Sequence, residues 1–502
     1  MRGVWEITYA CNMRCKHCGS RCGDPLPNEL TTKEALALCD DLAELGLEHL
    51  TLSGGEPFLR PDWDLLAKRL TKQGVNVNVI SNGWLLDSEM INKAKKARLG
   101  NICLSVDGAE RTHDFLRKRG AYAKAVAAFK LLQKNNMPSA CVTSVNKRNL
   151  LELSDLKQDL LRLGVERWQI QLAMPMGNLL DNPDLIIEPQ DVEKVLNFCK
   201  EVVEEGKIGI HLGDNLGYFT SVCDAITGQD CRWGGCPAGK QVIGIRADGY
   251  VGGCLAIRGN EYFAGNVRER KLKDIWQDQK SFCWNRNLKR TDLQGFCRKC
   301  QYADTCLGGC TAQKVTFGGS IYAENPNCAY KLEILAKTND LNEINTTADL
   351  IDRARQHLDN YNFQVAEFYL DKALGLDPDN LYIANFLAFV HFFLNNFETS
   401  LQYSEHVLAK DTQNAYALRG KGLCLHKLGG DKGKVITCLK QATKLAGAEE
   451  ILDAYRDLVV VLTEQGKYTA ALDVIKEARQ KVPNFAVMSK KLKSWIRKRQ
   501  GE

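Results

Sequence analysis

The sequence predicts an α/β domain built on a parallel sheet, then a cysteine-rich region, then an all-helical repeat region. Three observations carry this. Short apolar runs alternate with amphipathic segments over residues 1 to about 215. Eighteen of the 20 cysteines lie before residue 329, and only Cys424 and Cys438 follow. Beyond about residue 345, small and apolar residues recur with a period of about 34.

A chain of 502 residues has room for two to four domains. Net charge is +6 and spread out, so charge alone does not argue for nucleic acid. No apolar run reaches the length of a membrane span. Met1-Arg2-Gly3 leads directly into a strand-like run, unlike a signal peptide. The expected location is cytoplasmic, with no membrane partner. In such a chain, many cysteines point to metal or catalysis rather than disulfides.

The strand-like runs are Gly3–Ala10, His49–Ser53, Asn76–Ser81, Asn101–Val106, Ser139–Val145 and Trp168–Ala173. Most are continuous in Val, Ile and Leu, as strands covered on both faces are. After the first, Thr31 and Glu34 stand at capping-box spacing before Ala35, Leu38, Leu42 and Leu45. Further helices are expected near 62–73, 87–98, 121–135, 150–163 and 190–205. Alternating strands and helices give parallel pairing with right-handed crossovers, and functional residues gather at the C-terminal strand ends.

The first strand ends in Cys11, Cys15 and Cys18, spaced C-x3-C-x2-C. Three thiolates hold three irons of a [4Fe–4S] cluster and leave the fourth open to a ligand. The plain alternative is a zinc loop, although structural zinc favours four protein ligands. The second strand ends in Ser53-Gly54-Gly55-Glu56-Pro57, where two glycines let the backbone approach a ligand. The third ends in Ser81-Asn82-Gly83 and the fourth in Ser105-Val106-Asp107-Gly108.

Over residues 1–215 this combination resembles the radical SAM (S-adenosylmethionine) enzymes. The resemblance implies a partial (β/α)6 TIM-like barrel. It implies that Cys11, Cys15 and Cys18 bind a cluster whose open iron is chelated by SAM. Reductive cleavage of SAM would then give a 5′-deoxyadenosyl radical that abstracts a hydrogen. By the same resemblance Gly54, Gly55 and Glu56 lie along the SAM amino group. Asn82, Ser105 and Arg117 contact ribose and carboxylate, and His17 lies near the adenine. A flavodoxin- or ferredoxin-type protein would donate the electron.

Eight further cysteines follow between about 216 and 340: Cys231, Cys236, Cys254, Cys297, Cys300, Cys306, Cys310 and Cys328. Eight thiolates make two four-cysteine sites. Val242–Arg246, Asp248-Gly249 and Tyr250-Val251 read as a hairpin with an Asp-Gly turn. The spacings resemble the SPASM extension of peptide-maturing radical SAM enzymes. That resemblance implies one auxiliary cluster on Cys231, Cys236, Cys254 and Cys310. A second would sit on Cys297, Cys300, Cys306 and Cys328, making three [4Fe–4S] clusters in all. Among the remaining cysteines, Cys223 is the candidate hydrogen donor to a substrate radical.

In the last third, Ala354, Ala366, Ala373 and Pro378 are spaced as the small and breaking positions of a tetratricopeptide repeat. Ala388, Ser400 and Val407 repeat this 34 residues on, and Ala471, Ala478 and Pro483 recur later. A third, irregular unit turns at Gly429-Gly430, and a helix from Asn484 to Arg499 would cap the stack. Phe386, Phe389, Phe392 and Phe393 read as repeat core.

The expected domains are 1–215, a radical SAM barrel; 216–340, a SPASM region; and 345–502, tetratricopeptide-like repeats. The expected activity is radical modification of a ribosomally made precursor peptide, leader and core. The expected outcome is a C–C or thioether cross-link. Alternatives are side-chain oxidation of the sulfatase-maturase type, epimerisation, or a repeat-based adaptor with structural clusters only. The chain leaves no room for a leader-binding domain before its first strand, so the repeats are expected to take that role. Nucleic acid is not an expected partner.

Overall fold

The computed structural model describes residues 1–228, 233–448, 450–482 and 485–500. Two units emerge: residues 1–298 with 302–332, and residues 299–301 with 333–502.

In the first unit, strands β1 (Arg2–Thr8), β2 (His49–Gly54), β3 (Asn76–Ser81), β4 (Asn101–Ser105), β5 (Ser139–Val145), β6 (Arg167–Leu172) and β7 (Gly209–Leu212) pair in parallel in sequence order. The seventh adds to the six expected strands. Crossovers run through α1 (Thr32–Glu44), α2 (Trp63–Lys72), α3 (Ser88–Lys96), α4 (Glu110–Leu116), α5 (Ala121–Lys134), α6 (Leu153–Arg162) and α7 (Asp191–Glu205). This is the expected partial TIM-like barrel. In β1 both faces are covered, with Trp5 and Ile7 fully enclosed and Glu6 and Thr8 nearly so, whereas β2, β3 and β6 mostly alternate buried with half-buried residues. The α1 capping box forms, with Thr31 accepting from the Glu34 amide while Glu34 accepts from the Thr31 amide. That satisfies two of the donors a helix start leaves over.

The cysteine-rich segment continues the same sheet. β8 (Val242–Ile245) lies parallel to β1 on the side away from β2, and β9 (Tyr250–Gly252) returns antiparallel across the expected hairpin. β10 (Phe263–Asn266) completes the edge. This shared sheet is why the barrel and the cysteine-rich residues form one unit.

A buried ion pair fixes the end of β1. Arg60 reaches Asp62 at 2.7 Å, and its terminal nitrogens donate to the carbonyls of Ile7 and Leu30, each at 2.9 Å. Every arm of a buried guanidinium is thereby used, which such a group requires.

The second unit is helical. Among the described residues, helical hairpins Thr347–Asp359/Phe363–Leu376, Leu381–Phe393/Phe397–Lys410, Ala415–Lys427/Lys432–Leu445 and Ile451–Glu464/Tyr468–Lys481 precede a final helix Phe485–Gln500. Ala354, Ala366, Ala373, Ala471 and Ala478 are fully buried where helices pack. Ser400 donates to the Ala388 carbonyl at 2.6 Å, bonding the second hairpin across its two helices. Pro378 stands two residues beyond Leu376, where it stops a helix. Pro483 and Asn484 lie outside the described residues. The phenylalanines expected in the core sit elsewhere: Phe386, Phe389 and Phe392 are half-buried and Phe393 is exposed. Leu387, Ala388 and Val390 fill the packed face instead. No helix among the described residues is long and apolar enough to cross a membrane.

Candidate active site at the C-terminal ends of the strands

The loop after β1 carries Cys11, Cys15 and Cys18, all partly exposed. Its backbone is anchored from several sides. The Cys11 amide donates to the Gly23 carbonyl at 2.8 Å, and the Lys16 amide to the Leu116 carbonyl at 2.8 Å. Asn178 donates from its side chain to the Cys15 carbonyl (2.9 Å) and from its amide to the Cys18 carbonyl (2.8 Å). Glu29 gathers Thr8 Oγ1 and the Tyr9 and Leu26 amides. The thiols are thus presented by a rigid loop.

The β2 end meets this loop directly. The Gly55 amide donates to the Thr8 carbonyl (2.7 Å) and the Glu56 amide to the Ala10 carbonyl (2.8 Å). With those amides committed, the polar groups this turn has left for a ligand are carbonyl oxygens, which suit a donor such as an ammonium. The Glu56 side chain turns inward and is fully buried. It accepts from Ser81 Oγ (2.9 Å), the Asn82 amide (2.8 Å) and the Phe58 amide (3.3 Å). Glu56 therefore ties β2 to β3, and Asn82 in turn donates to Asn12 Oδ1 at 2.7 Å. Ser105 is half-buried at the end of β4.

Asp107, just past β4, looks like an ordinary turn residue in the sequence but is a hub in the structure. It is fully buried. It accepts from Arg117 Nε at 2.5 Å, His17 Nε2 at 3.0 Å and the Ser144 amide at 2.9 Å. Burial alone would raise its pKa, but the Arg117 and His17 side chains outweigh that and hold it ionised. Beside it, burial pushes the His113 pKa down to about 3, so its neutral Nδ1 accepts from the Asp107 amide. His17 and Arg117 thus meet on one carboxylate. His17 Nδ1 has no partner among the described residues. Cys22, also left unassigned by sequence, is buried and hydrogen-bonded to Cys18.

A cavity of about 330 Å³ opens beside the loop. Cys18 and His17 line one side, and Leu255, Ala256 and Arg258 another. Arg258 is held by Glu6 (2.6 Å), Ser20 (2.5 Å) and Tyr9 (2.5 Å), while Glu6 Oε2 stays buried without a partner among the described residues. Cys223 is not at this cavity. It lines another, of about 340 Å³, with His211, Asp214 and Trp233, and it accepts from Thr220 Oγ1 at 3.0 Å. The short strand β7 and the helix Ser221–Thr227 carry it there.

Of the second cysteine set, Cys236, Cys297, Cys300, Cys306 and Cys310 are buried, and Cys254 and Cys328 half-buried. Cys231 lies outside the described residues. Cys310 is within electrostatic reach of Cys236 and Cys254, and Cys328 of Cys297. The same region holds buried donors without a partner among the described residues, Gln313 Nε2, Asn327 Nδ2 and Trp284 Nε1, and also an acceptor of this kind, Asn327 Oδ1. An unsatisfied buried N–H costs about 1–3 kcal/mol. Thiolate and sulfide can accept from those N–H donors, so the donor set fits iron–sulfur clusters. Among the described residues no three His, Cys, Asp or Glu side chains meet closely enough for a single metal ion.

Comparison with known proteins agrees with this geometry. The model of the Radical SAM superfamily matches residues 5–160, and that of the SPASM iron–sulfur cluster-binding domain matches 236–301. An AdoMet-dependent heme synthase of Methanosarcina barkeri is 31% identical over 343 residues, 65% of this chain and 96% of that protein. The mycofactocin maturase MftC of Mycolicibacterium smegmatis is 27% identical over 330 residues, 65% of this chain and 81% of that protein. Among solved structures, Streptococcus suis SuiB bound to S-adenosylmethionine superposes with a TM-score of 0.53 at 15% identity, over 65% of this chain and 77% of that one. The anSMEcpe structure with bound AdoMet gives 0.54 at 16% identity, over 67% and 97%. At those identities the two structures show the fold alone.

Proposed function

Since the chain belongs to the radical SAM superfamily and carries a SPASM domain, an enzyme that uses SAM and iron–sulfur clusters, we propose that it modifies a ribosomally made peptide and forms a C–C or thioether cross-link. One observation carries the reading. A single cavity is walled by Cys18 of the first cysteine loop and by Leu255 and Ala256, which directly follow Cys254. A substrate in that cavity would lie between the site of radical generation and a ligand of the proposed auxiliary clusters.

Cys11, Cys15 and Cys18 would hold the first cluster, with Gly54, Gly55, the Glu56 main chain, Asn82, Ser105, Arg117 and His17 around SAM. Cys236, Cys254 and Cys310, with Cys231, would hold one auxiliary cluster; Cys297, Cys300, Cys306 and Cys328 would hold the other. When bound, the first cluster and SAM supply a 5′-deoxyadenosyl radical that takes one hydrogen atom from the substrate. Closing a cross-link then removes a second hydrogen, as a proton and an electron. The cavity wall offers that electron an exit toward Cys254. The substrate as a whole loses two hydrogens. The helical unit would bind the precursor, and the mycofactocin maturases among the relatives support a peptide substrate.

A second reading is an iron–porphyrin precursor as substrate, favoured by relatives named AdoMet-dependent heme synthase and Fe-coproporphyrin III synthase. One set of experiments separates the two. Anaerobic protein with reductant and SAM should release 5′-deoxyadenosine. Co-expression with short reading frames beside the gene should give a peptide lighter by two hydrogens. A turnover-dependent mass change on an iron porphyrin, with every peptide unchanged, would replace the first reading by the second.

A further inference from the structure

Lys314, on the helix Thr311–Gly318, has no part in the scheme above, and Gln313 stands beside it. Lys314 is 0% exposed, and so is Gln313. Lys314 Nζ donates to the Leu307 carbonyl at 2.9 Å. Glu324, an acid of the same region, is already paired with Lys331. Gln313 Oε1 accepts from Asn325 at 2.7 Å, but Gln313 Nε2 has no partner among the described residues.

Enclosing an ammonium against one neutral carbonyl is unfavourable. Negative charge must face it for the site to be stable. The position shows where that charge lies. Leu307 stands between Cys306 and Cys310. A Cβ on Gly308 would come within 3.0 Å of Lys314 Cδ and 3.2 Å of its Nζ, so the lysine lies directly over the Cys306–Cys310 loop. The thiols of Cys236, Cys297, Cys306 and Cys310 all act on its charge, while burial drags its pKa down. In the three-cluster reading, Cys236 and Cys310 belong to one auxiliary cluster, and Cys297 and Cys306 to the other.

We propose that Lys314 is a positioning residue, a countercharge shared by the two auxiliary clusters that, with the Gln313 amide beside it, raises their reduction potentials. The inference rests on the three-cluster reading. A cluster bound by four thiolates carries net negative charge, and reduction adds more. A fixed cation and N–H donors therefore favour the reduced state, and net charge and hydrogen bonding are the terms by which a protein sets such potentials. Raising the auxiliary potentials makes those clusters better acceptors of an electron from the substrate.

The test is an EPR-monitored redox titration of the anaerobically reconstituted full-length holoprotein. Lys314→Met keeps the length of the side chain and removes the charge. Both auxiliary midpoint potentials should move to more negative values, while that of the SAM-binding cluster stays put. A fully loaded Lys314→Met protein that titrates like wild type overturns the proposal. If Lys314→Met sheds auxiliary iron, Lys314→Arg decides. Wild-type potentials with the charge kept support the proposal, and shifted potentials in loaded protein refute it. Wild-type protein that binds iron for one cluster only refutes the three-cluster reading itself, a result distinct from unchanged potentials.

Discussion

Arg117 Nε and Asp107 Oδ2 lie 2.5 Å apart, and the same carboxylate oxygen receives His17 Nε2 at 3.0 Å. One buried acid thereby fastens the cysteine loop, through His17, to the end of β4 and to the residue that ends α4. Asp107→Asn strips the charge and leaves Arg117 buried without it. Breaking such a pair from one side costs about 3–5 kcal/mol. The expected result is a lower urea midpoint with an unchanged slope, and weaker SAM binding. The double variant Asp107→Asn/Arg117→Leu should regain part of the loss, because no buried charge is then stranded. A double variant that loses the sum of both single changes would show the two residues to be independent.

Glu56 makes a second prediction, with a pH dependence. Burial pushes its pKa up to about 7, against the pull of its three hydrogen bonds. An unfolded glutamate titrates near about 4.3. A pKa raised on folding means the folded state gains from protonation, so this contribution is complete below the unfolded pKa. It is lost as pH rises through about 7. Glu56→Gln turns an acceptor toward an N–H donor and should cost about 1–3 kcal/mol. The variant lacks the titration, so the stability gap between it and wild type should narrow from pH 5 to pH 8. Chemical denaturation at each pH measures this, and a constant gap would count against a protonated Glu56.

How much of this was legible in the sequence follows from what each residue's neighbours reveal. The Thr31–Glu34 box and the Asp248-Gly249 turn are local, and both form as the spacing implies. The first six strands are legible because each is a short run rich in apolar residues between turn signals. β7 was missed because Gly209–Leu212 holds only Ile210 and Leu212 as apolar residues. Asp107 was read as part of a turn, since its three partners come from residues 10 to 90 positions away. Gln313 and Lys314 look like a solvated helix face in sequence, but Asn325 pairs with the first and the Cys306–Cys310 loop lies over the second. Cys223 is a candidate because in the family that the chain resembles this segment borders the active site, and here it lines the cavity with His211 and Trp233.

The aromatic face of the helical unit yields a third prediction. Tyr382, Phe386, Phe389 and Phe393 recur on one side of the helix Leu381–Phe393, and Tyr382 and Phe393 are about half exposed. Phe363 stacks on Phe393 with ring centres 4.8 Å apart, and Arg355 hydrogen-bonds the Tyr382 hydroxyl. Exposed aromatic groups with a flanking arginine are the residue types that dominate binding energy at interfaces. Phe386→Asp and Phe393→Asp should each weaken precursor-peptide binding by tenfold or more, about 1.4 kcal/mol. The release of 5′-deoxyadenosine from SAM without peptide should be unchanged. Calorimetric titration of peptide into each variant checks this, and wild-type affinity in both would place the peptide site elsewhere.

Gly55 gives the sharpest steric test of how the two strand-end motifs are joined. A Cβ there would sit 2.1 Å from the Ala10 carbonyl oxygen and 2.7 Å from that of Tyr9. Both neighbours are main chain, so no side chain can swing aside. The Ala10 carbonyl also receives the Glu56 amide, and Cys11 follows Ala10 directly. Gly55→Ala must therefore push the start of the cysteine loop away from β2. The damage should be local, because Leu50, Leu52 and the rest of the strand core are untouched. The expected result is a folded protein with normal auxiliary iron that has lost most of its first cluster and its SAM binding. Iron and sulfide counts, with EPR in the presence and absence of SAM, measure both. Gly54→Ala should behave alike, since its Cβ would lie 2.2 Å from the Thr8 carbonyl and its φ of 130° suits glycine. Full first-cluster occupancy in both variants would mean that the cysteine loop does not depend on close backbone contact with β2.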